Sequence, residues 1–231
     1  MIAKLIWKEW VEQRWKLFLG CVMLMGFTLI GLSARVMPDI EIISGGVIVY
    51  AIVFPLFACM DLVAAERAEG TLPSLSSLPL SAWKILAVKV AVGLAVCVVP
   101  MVATAIATCL LTRGREATTG LMLRVYGGSA CLAAVLFIWM LAFNLRQPTE
   151  ARAAVVGICV LAVMVVSLVF CASLSRWIPE YFICIHPVSL LIVIEPREMS
   201  RIKAIIPVQA VLTCGLFVWA AFRFSRDGRA A

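Results

Sequence analysis

Charge is scarce in this sequence. Asp, Glu, Lys and Arg make up 14% of its 231 residues, against roughly 25% in soluble domains, while 64% are hydrophobic and the mean hydropathy is +1.07. In water such a chain would expose far more apolar surface than its charges could cover, whereas hydrocarbon accepts that surface on every side. A soluble enzyme or DNA-binding domain is excluded. Histidine occurs once, as His186 with Cys184 two residues before it, and two ligands without a cluster do not make a metal site. There is no C-x-x-C or M-x-x-M grouping, no G-x-S-x-G and no H-E-x-x-H. There is also no G-x-x-x-x-G-K-[ST], nor any Gly-Lys pair, so nothing in the chain can cradle ATP phosphates. Ser44-Gly45-Gly46 opens an apolar run and is followed by Val47, which reads as a helix start or a packing position. Strict two-residue alternation is missing as well, which argues against a β-barrel.

What is present is a set of long uncharged runs. Six reach eighteen residues or more: Leu17–Ala34, Ile42–Met60, Val90–Thr112, Val125–Leu145, Ala153–Ser175 and Ala204–Phe222. About 20 helical residues cross a hydrocarbon core about 30 Å thick, so an all-α membrane protein with six transmembrane helices is expected. Pro55, Pro100 and Pro207 fall in these runs, which membrane helices tolerate where neighbours satisfy the freed carbonyls. Eight of the nine cysteines lie in the same runs and serve as small apolar side chains. No interval between spans can hold a soluble domain, so residues 1–231 read as one transmembrane domain.

Six spans place both termini on one side. Twelve Lys and Arg fall on that side (4, 8, 14, 16, 67, 84, 89, 146, 152, 223, 226, 229) and eight on the other (35, 113, 115, 124, 176, 197, 201, 203), which by the positive-inside bias puts the termini in the cytoplasm. The net charge of +7 then belongs to loops near anionic lipid, not to a nucleic-acid surface. Within the outer loop 176–203, the apolar stretch Tyr181–Ile194 is only fourteen residues long. It is expected as a re-entrant or interfacial segment, with a full crossing as the alternative.

Residues 1–16 place Ala3, Ile6, Trp7, Trp10 and Val11 at helical spacing against Lys8, Glu9, Glu12, Gln13 and Lys16. This predicts an amphipathic interfacial helix, with Trp7, Trp10 and Trp15 anchoring it in the headgroup layer. Its length and its acidic residues argue against a cleaved signal peptide ending near Leu32-Ser33-Ala34. Asp61, at the end of the second run, is a candidate gate residue or an ordinary interface residue. Asn144 and Gln209 are candidate interhelical amides. So few polar groups in the spans leave no hydrophilic ion path, and any cargo is expected to be lipid-like or amphipathic.

The segment 66–81 joins the second and third spans. Gly70 frees the backbone, Thr71 can cap a helix, Pro73 suits its first turn and Pro79 ends it. A helix of about two turns over Leu72–Leu78 is predicted, with Leu72, Leu75 and Leu78 along one side. Ser81 caps the following helix, Trp83 and Lys84 mark the interface, and Lys89 is placed to snorkel toward it. Spacing alone fits an ordinary interfacial loop equally well.

The residues themselves say more. The run Glu66-Arg67-x-x-Gly70-Thr71-Leu72, then Leu75, Leu78-Pro79-x-Ser81 and Lys89, resembles the segment between the second and third spans of type-2 ABC exporter permeases. That family also has six spans, an N-terminal interfacial helix and a re-entrant segment before the last span. The resemblance implies a permease subunit that forms a translocation path with a second copy or a sister permease. Glu66, Arg67, Gly70, Thr71, Leu72, Leu75, Leu78 and Pro79 would then dock on a separate ABC ATPase subunit, which carries the ATP and Mg. Pro73 departs from the Glu usual in the family and bears on the charge of that face. The implied location is the bacterial cytoplasmic membrane. A membrane anchor or assembly factor, and more remotely an intramembrane enzyme, are the other classes the residues leave open.

Overall fold

The structure is a computed structural model that describes residues 2–33, 39–60, 62, 64, 80–111, 116–145, 147–173, 185–187, 189–190 and 199–230. Six helices account for nearly all of these: α1 (Ile2–Ser33), α2 (Asp39–Met60), α3 (Ala82–Leu111), α4 (Glu116–Asn144), α5 (Glu150–Ser173) and α6 (Met199–Ala230). No strand occurs among the described residues. All six are long and apolar enough to cross a membrane. The shortest, α2 with 22 residues, is about 33 Å long and already exceeds a hydrocarbon core of about 30 Å. A multi-pass, all-helical membrane protein is the architecture.

The packing is uneven. Helices α1 to α4 form the centre, with α2 against α4 and α1 against α3 as the most extensive pairings, while α5 and α6 lie along the outside. Helix α4 is the most enclosed, with Leu132, Ala133, Leu136, Phe137 and Met140 all buried. Outward faces of α1, α5 and α6 carry Phe18, Val22, Val163, Phe170, Val211 and Phe222 exposed, a surface that hydrocarbon covers without penalty. Glycines set the closest approaches. A Cβ on Gly20 of α1 would lie 2.7 Å from the Tyr50 hydroxyl oxygen of α2 and 3.2 Å from Pro100 of α3. On Gly93 of α3 it would strike the Phe137 ring of α4. Gly46 packs under Phe27 in the same way, the packing role expected of the Ser44-Gly45-Gly46 triplet.

Helix ends follow from local chemistry. Ser81 is the N-cap of α3, its carbonyl accepting from Lys84 N at 2.8 Å and Ile85 N at 3.3 Å. Thr149 caps α5, its hydroxyl accepting from Arg152 N at 3.4 Å. Pro55, Pro100 and Pro207 all sit inside helices. At Pro100 the missing N–H frees the Val96 carbonyl. The Tyr50 hydroxyl of α2 donates there, 3.5 Å from Val96 O and 3.3 Å from Cys97 O.

The expected interfacial helix over residues 1–16 is not set off as a separate element. Residues 2–33 form one helix with no break at 16, so this segment leads directly into the first span. Its polar face is divided, with Glu12 exposed and Lys8 partly so but Glu9 and Gln13 turned inward. Leu5, Glu9 and Gln13 are buried against the protein while Ile6, Trp7 and Trp10 face out, because Glu9 finds a cation in the interior.

Cross-links between helices fix their directions. Glu9 of α1 meets Lys89 near the start of α3 and, through it, Leu62 just past α2, so these three termini share one end. Thr28 of α1, Thr108 of α3 and Tyr126 of α4 meet at the other end. Trp83 of α3 touches Phe217 in the second half of α6 at 5.9 Å, which brings the end of α6 to the first end. Both ends of the 65–79 segment thus emerge where α1 begins and α6 finishes. The residues of that segment, and Asp61, lie outside the described residues.

Candidate functional site

At the end from which residues 65–79 depart, three cations and an acid tie the helices together. Lys89 Nζ lies 2.7 Å from Glu9 Oε1, and the two side chains are only 1% and 2% exposed. The same ammonium donates to Leu62 O at 3.0 Å. Lys8 stands 3.8 Å from Glu9 Oε1 and 3.2 Å from Glu12. One turn along, Lys16 Nζ donates to Phe57 O at 3.0 Å. Phe57 and Leu62 belong to the carboxyl end of α2, where the last carbonyls of a helix lack intrahelical partners and the macrodipole favours positive charge. Two lysines from other helices therefore close the end of α2 while one of them is neutralised by α1.

Burying either charge alone would be costly, and the pair persists because each satisfies the other and Lys89 spends a further hydrogen on a carbonyl. The snorkelling expected of Lys89 does not occur. It turns inward because Glu9 offers a shorter path to neutralisation than the interface does. Gln13 continues the polar stripe, 3% exposed, with no hydrogen-bond partner for its Oε1 among the described residues.

The opposite end is held without charge. Tyr126 Oη lies 3.2 Å from both Thr28 Oγ1 and Thr108 Oγ1. Each threonine hydroxyl also donates back to its own helix, Thr28 to Leu24 O at 2.9 Å and Thr108 to Thr104 O at 2.7 Å. Three hydroxyl hydrogens face four contacts, so one contact always goes without a proton. A third node joins α5, the residues before α6, and α6. His186 Nε2 is 2.8 Å from Ser167 Oγ, and Gln209 Nε2 donates to His186 O at 2.9 Å. Burial pushes the His186 imidazole below its ordinary range, partly offset by the Met164 carbonyl.

Ser167 stands beside His186 although the two are 19 positions apart in sequence. The contact is not arranged as a nucleophile and base. Ser167 donates its hydrogen to Met164 O at 3.0 Å, so for both contacts to be hydrogen bonds the imidazole must donate to the serine. Gln209 ties α6 to the residues before it and not to another helix, and the Asn144 amide has no hydrogen-bond partner among the described residues.

Of the residues singled out from sequence, Trp7 and Trp15 are 68% and 69% exposed, and Trp10 and Trp83 also face outward. All four lie toward the end that carries the ion pair, as does Trp219, whose ring stands 5.6 Å from the Arg223 guanidinium. Glu66, Arg67, Gly70, Thr71, Leu72, Leu75, Leu78 and Pro79 lie outside the described residues, as do Cys184 and most of the 176–203 loop. The Glu9–Lys89 pair was missed in the sequence. Its signal was there in Glu9 and Gln13, one turn apart opposite the tryptophans, and in a lone lysine at the head of an uncharged run. No family model matches the chain, and no curated protein matches it.

Proposed function

We propose that this chain is the permease subunit of an ABC exporter, driven through residues 66–79 by a separate ATPase that binds ATP and Mg. The observation that carries the reading is the Lys89 node. It joins α1, the end of α2 and the start of α3 by an ion pair of 2.7 Å and a hydrogen bond of 3.0 Å, next to both ends of the segment that resembles a coupling helix. A push on a rigid segment there would reach three helices as one body instead of bending a loop. Rocking of such a body against the rest of a dimer is the kind of motion that exchanges inward for outward access.

In this reading the termini and residues 66–79 face the cytoplasm, and the membrane is the bacterial cytoplasmic one. Trp7, Trp10, Trp15 and Trp83 sit in the inner headgroup layer, where an indole keeps its N–H wet. Asp61, beside the node in sequence, is a candidate gate residue. A second copy or a sister permease completes the path and meets one of the apolar outward faces. The alternative is a membrane anchor that binds a soluble partner by the same segment without moving cargo.

Affinity purification in mild detergent is expected to recover an ATP-binding subunit, and Leu75→Asp to abolish its recovery with membrane insertion unchanged. Full ATPase recovery with Leu75→Asp refutes the docking assignment. Vesicles holding the complex separate the two readings, because export requires ATP hydrolysis and an anchor does not.

A further inference from the structure

We propose that the open groove between α3 and α4, at the end away from the ion pair, holds an acyl chain of an anionic bilayer phospholipid, with Arg124 receiving its phosphate. The groove has a volume of about 520 Å³ and is walled by Val102, Ala105 and Ile106 of α3 and by Leu123, Gly127 and Ala130 of α4. That volume lies within the roughly 300–1,000 Å³ of small-ligand sites. The walls are apolar side chains, the sulfurs of Met101 and Cys109 included, apart from the Tyr126 hydroxyl, which is engaged with Thr28 and Thr108. A tail gains packing there, and a polar cargo would lose its hydration for nothing.

Arg124 supplies the second half of the site. It is exposed on α4, next to Leu123 and eight residues from the helix start, the depth at which a long cationic side chain reaches a headgroup layer. Its neighbours at one helical turn include Gly120, Gly127 and Gly128. A Cβ at Gly120 or Gly127 would meet nothing within 4 Å, so the surface between Arg124 and the groove is open at these two positions. An apolar slot with an exposed cation next to its lining matches a phosphate joined to an acyl chain, and Arg binds phosphate in a two-point fork. A second copy docked symmetrically through this face would bring two Arg124 guanidinium groups to the same depth in a poorly screening layer, which like-charge repulsion opposes.

The test uses the full chain in phosphatidylcholine bilayers doped with phosphatidylglycerol that carries a diazirine in one acyl chain. Photolabelling is expected on peptides of α3 and α4, with phosphatidylglycerol preferred over a diazirine phosphatidylcholine. Arg124→Gln should lower that preference about fivefold, the factor expected for one cation near an anionic headgroup. Gly127→Leu, which extends into open space and leaves the helix contacts intact, should abolish labelling of both lipids at the groove. Equal labelling by the two lipids in the unaltered protein, labelling untouched by Gly127→Leu, or cross-links between α4 of two chains in place of lipid adducts would each overturn the proposal. The labelling needs no ATPase and no transport, so it stands or falls apart from the permease reading.

Discussion

The two ends of this bundle are fastened by different chemistry. Where α1 and α3 begin and α2 ends, the fastener is a buried Glu9–Lys89 ion pair with a carbonyl added to it. Where α1 and α3 end and α4 is in its first turns, it is the Tyr126 hydroxyl between Thr28 and Thr108. A buried ion pair resists partial opening, because separating the charges gives up their closest contact where water cannot replace it. Three hydroxyls sharing four contacts behave otherwise. One threonine can turn back to its own helix as the other engages Tyr126, so the contact can change hands at small cost. One end is built to stay together and the other to be renegotiated. A lever acting at the first end would be felt at the second.

The largest effect expected on this contrast comes from the ion pair. Glu9→Gln takes away the carboxylate 2.7 Å from the buried Lys89 ammonium and should cost about 3–5 kcal/mol, read as a drop in the thermal midpoint in detergent. Lys89→Met should cost less, because Lys8 stays 3.8 Å from Glu9. Glu9→Gln with Lys89→Met should recover most of the loss, since no charge remains to be buried. Salt at molar concentration should not reproduce the single-mutant defect, because an enclosed pair is poorly screened. Independent, additive losses would mean that the two charges do not meet, and the proposed stiff end would disappear.

A smaller effect is expected at the hydroxyl end. Tyr126→Phe removes both shared contacts and leaves each threonine its own-helix carbonyl, so no buried donor is orphaned. Polar contacts between membrane helices average about 0.6 kcal/mol, and the loss should be of that order. Tyr50→Phe makes an informative control. It strips the donor from the carbonyls exposed by Pro100 and should cost about 1–3 kcal/mol as an unsatisfied acceptor. A Tyr126→Phe defect as large as that of Tyr50→Phe would contradict the interchangeable contacts at this end.

How far the sequence foretells these features depends on their range. The six helices were legible because eighteen uncharged residues in a row have few homes other than hydrocarbon. Their bounds were less so except at Ser81, the expected cap of α3. Other helices run on through Glu150 and Lys203, and a charge inside the end of a helix does not stop it. The separate interfacial helix expected over residues 1–16 rested on amphipathic spacing and on tryptophans suited to a headgroup layer. A helix needs no break where its polar stripe is matched by the neighbour it crosses. The Glu9–Lys89 and Ser167–His186 contacts join residues 80 and 19 positions apart. Periodicity carries no information at that distance, so their partners emerge only when the helices are laid side by side.

The smallest expected effect concerns a partly buried contact between α5 and α6 that can acquire charge. His186 is partly enclosed between α5 and α6, and burial holds its pKa below the ordinary value of 6.5. The unfolded chain therefore takes up the proton first as pH falls. The stability that His186 contributes is complete above about pH 6.5 and declines as pH drops from there through the lower folded pKa. Above that window a thermal scan in detergent should be flat. Below it the midpoint should slide, and His186→Gln should remove the slope specific to this residue. The ring is only partly desolvated, and a protonated imidazole can still donate to Ser167 and the Met164 carbonyl, which opposes the effect of burial. Were the midpoint instead to rise on acidification in the unaltered protein and not in His186→Gln, the imidazole would be stabilised as a cation. The contrast between a charged end and an uncharged one would then fail at this residue.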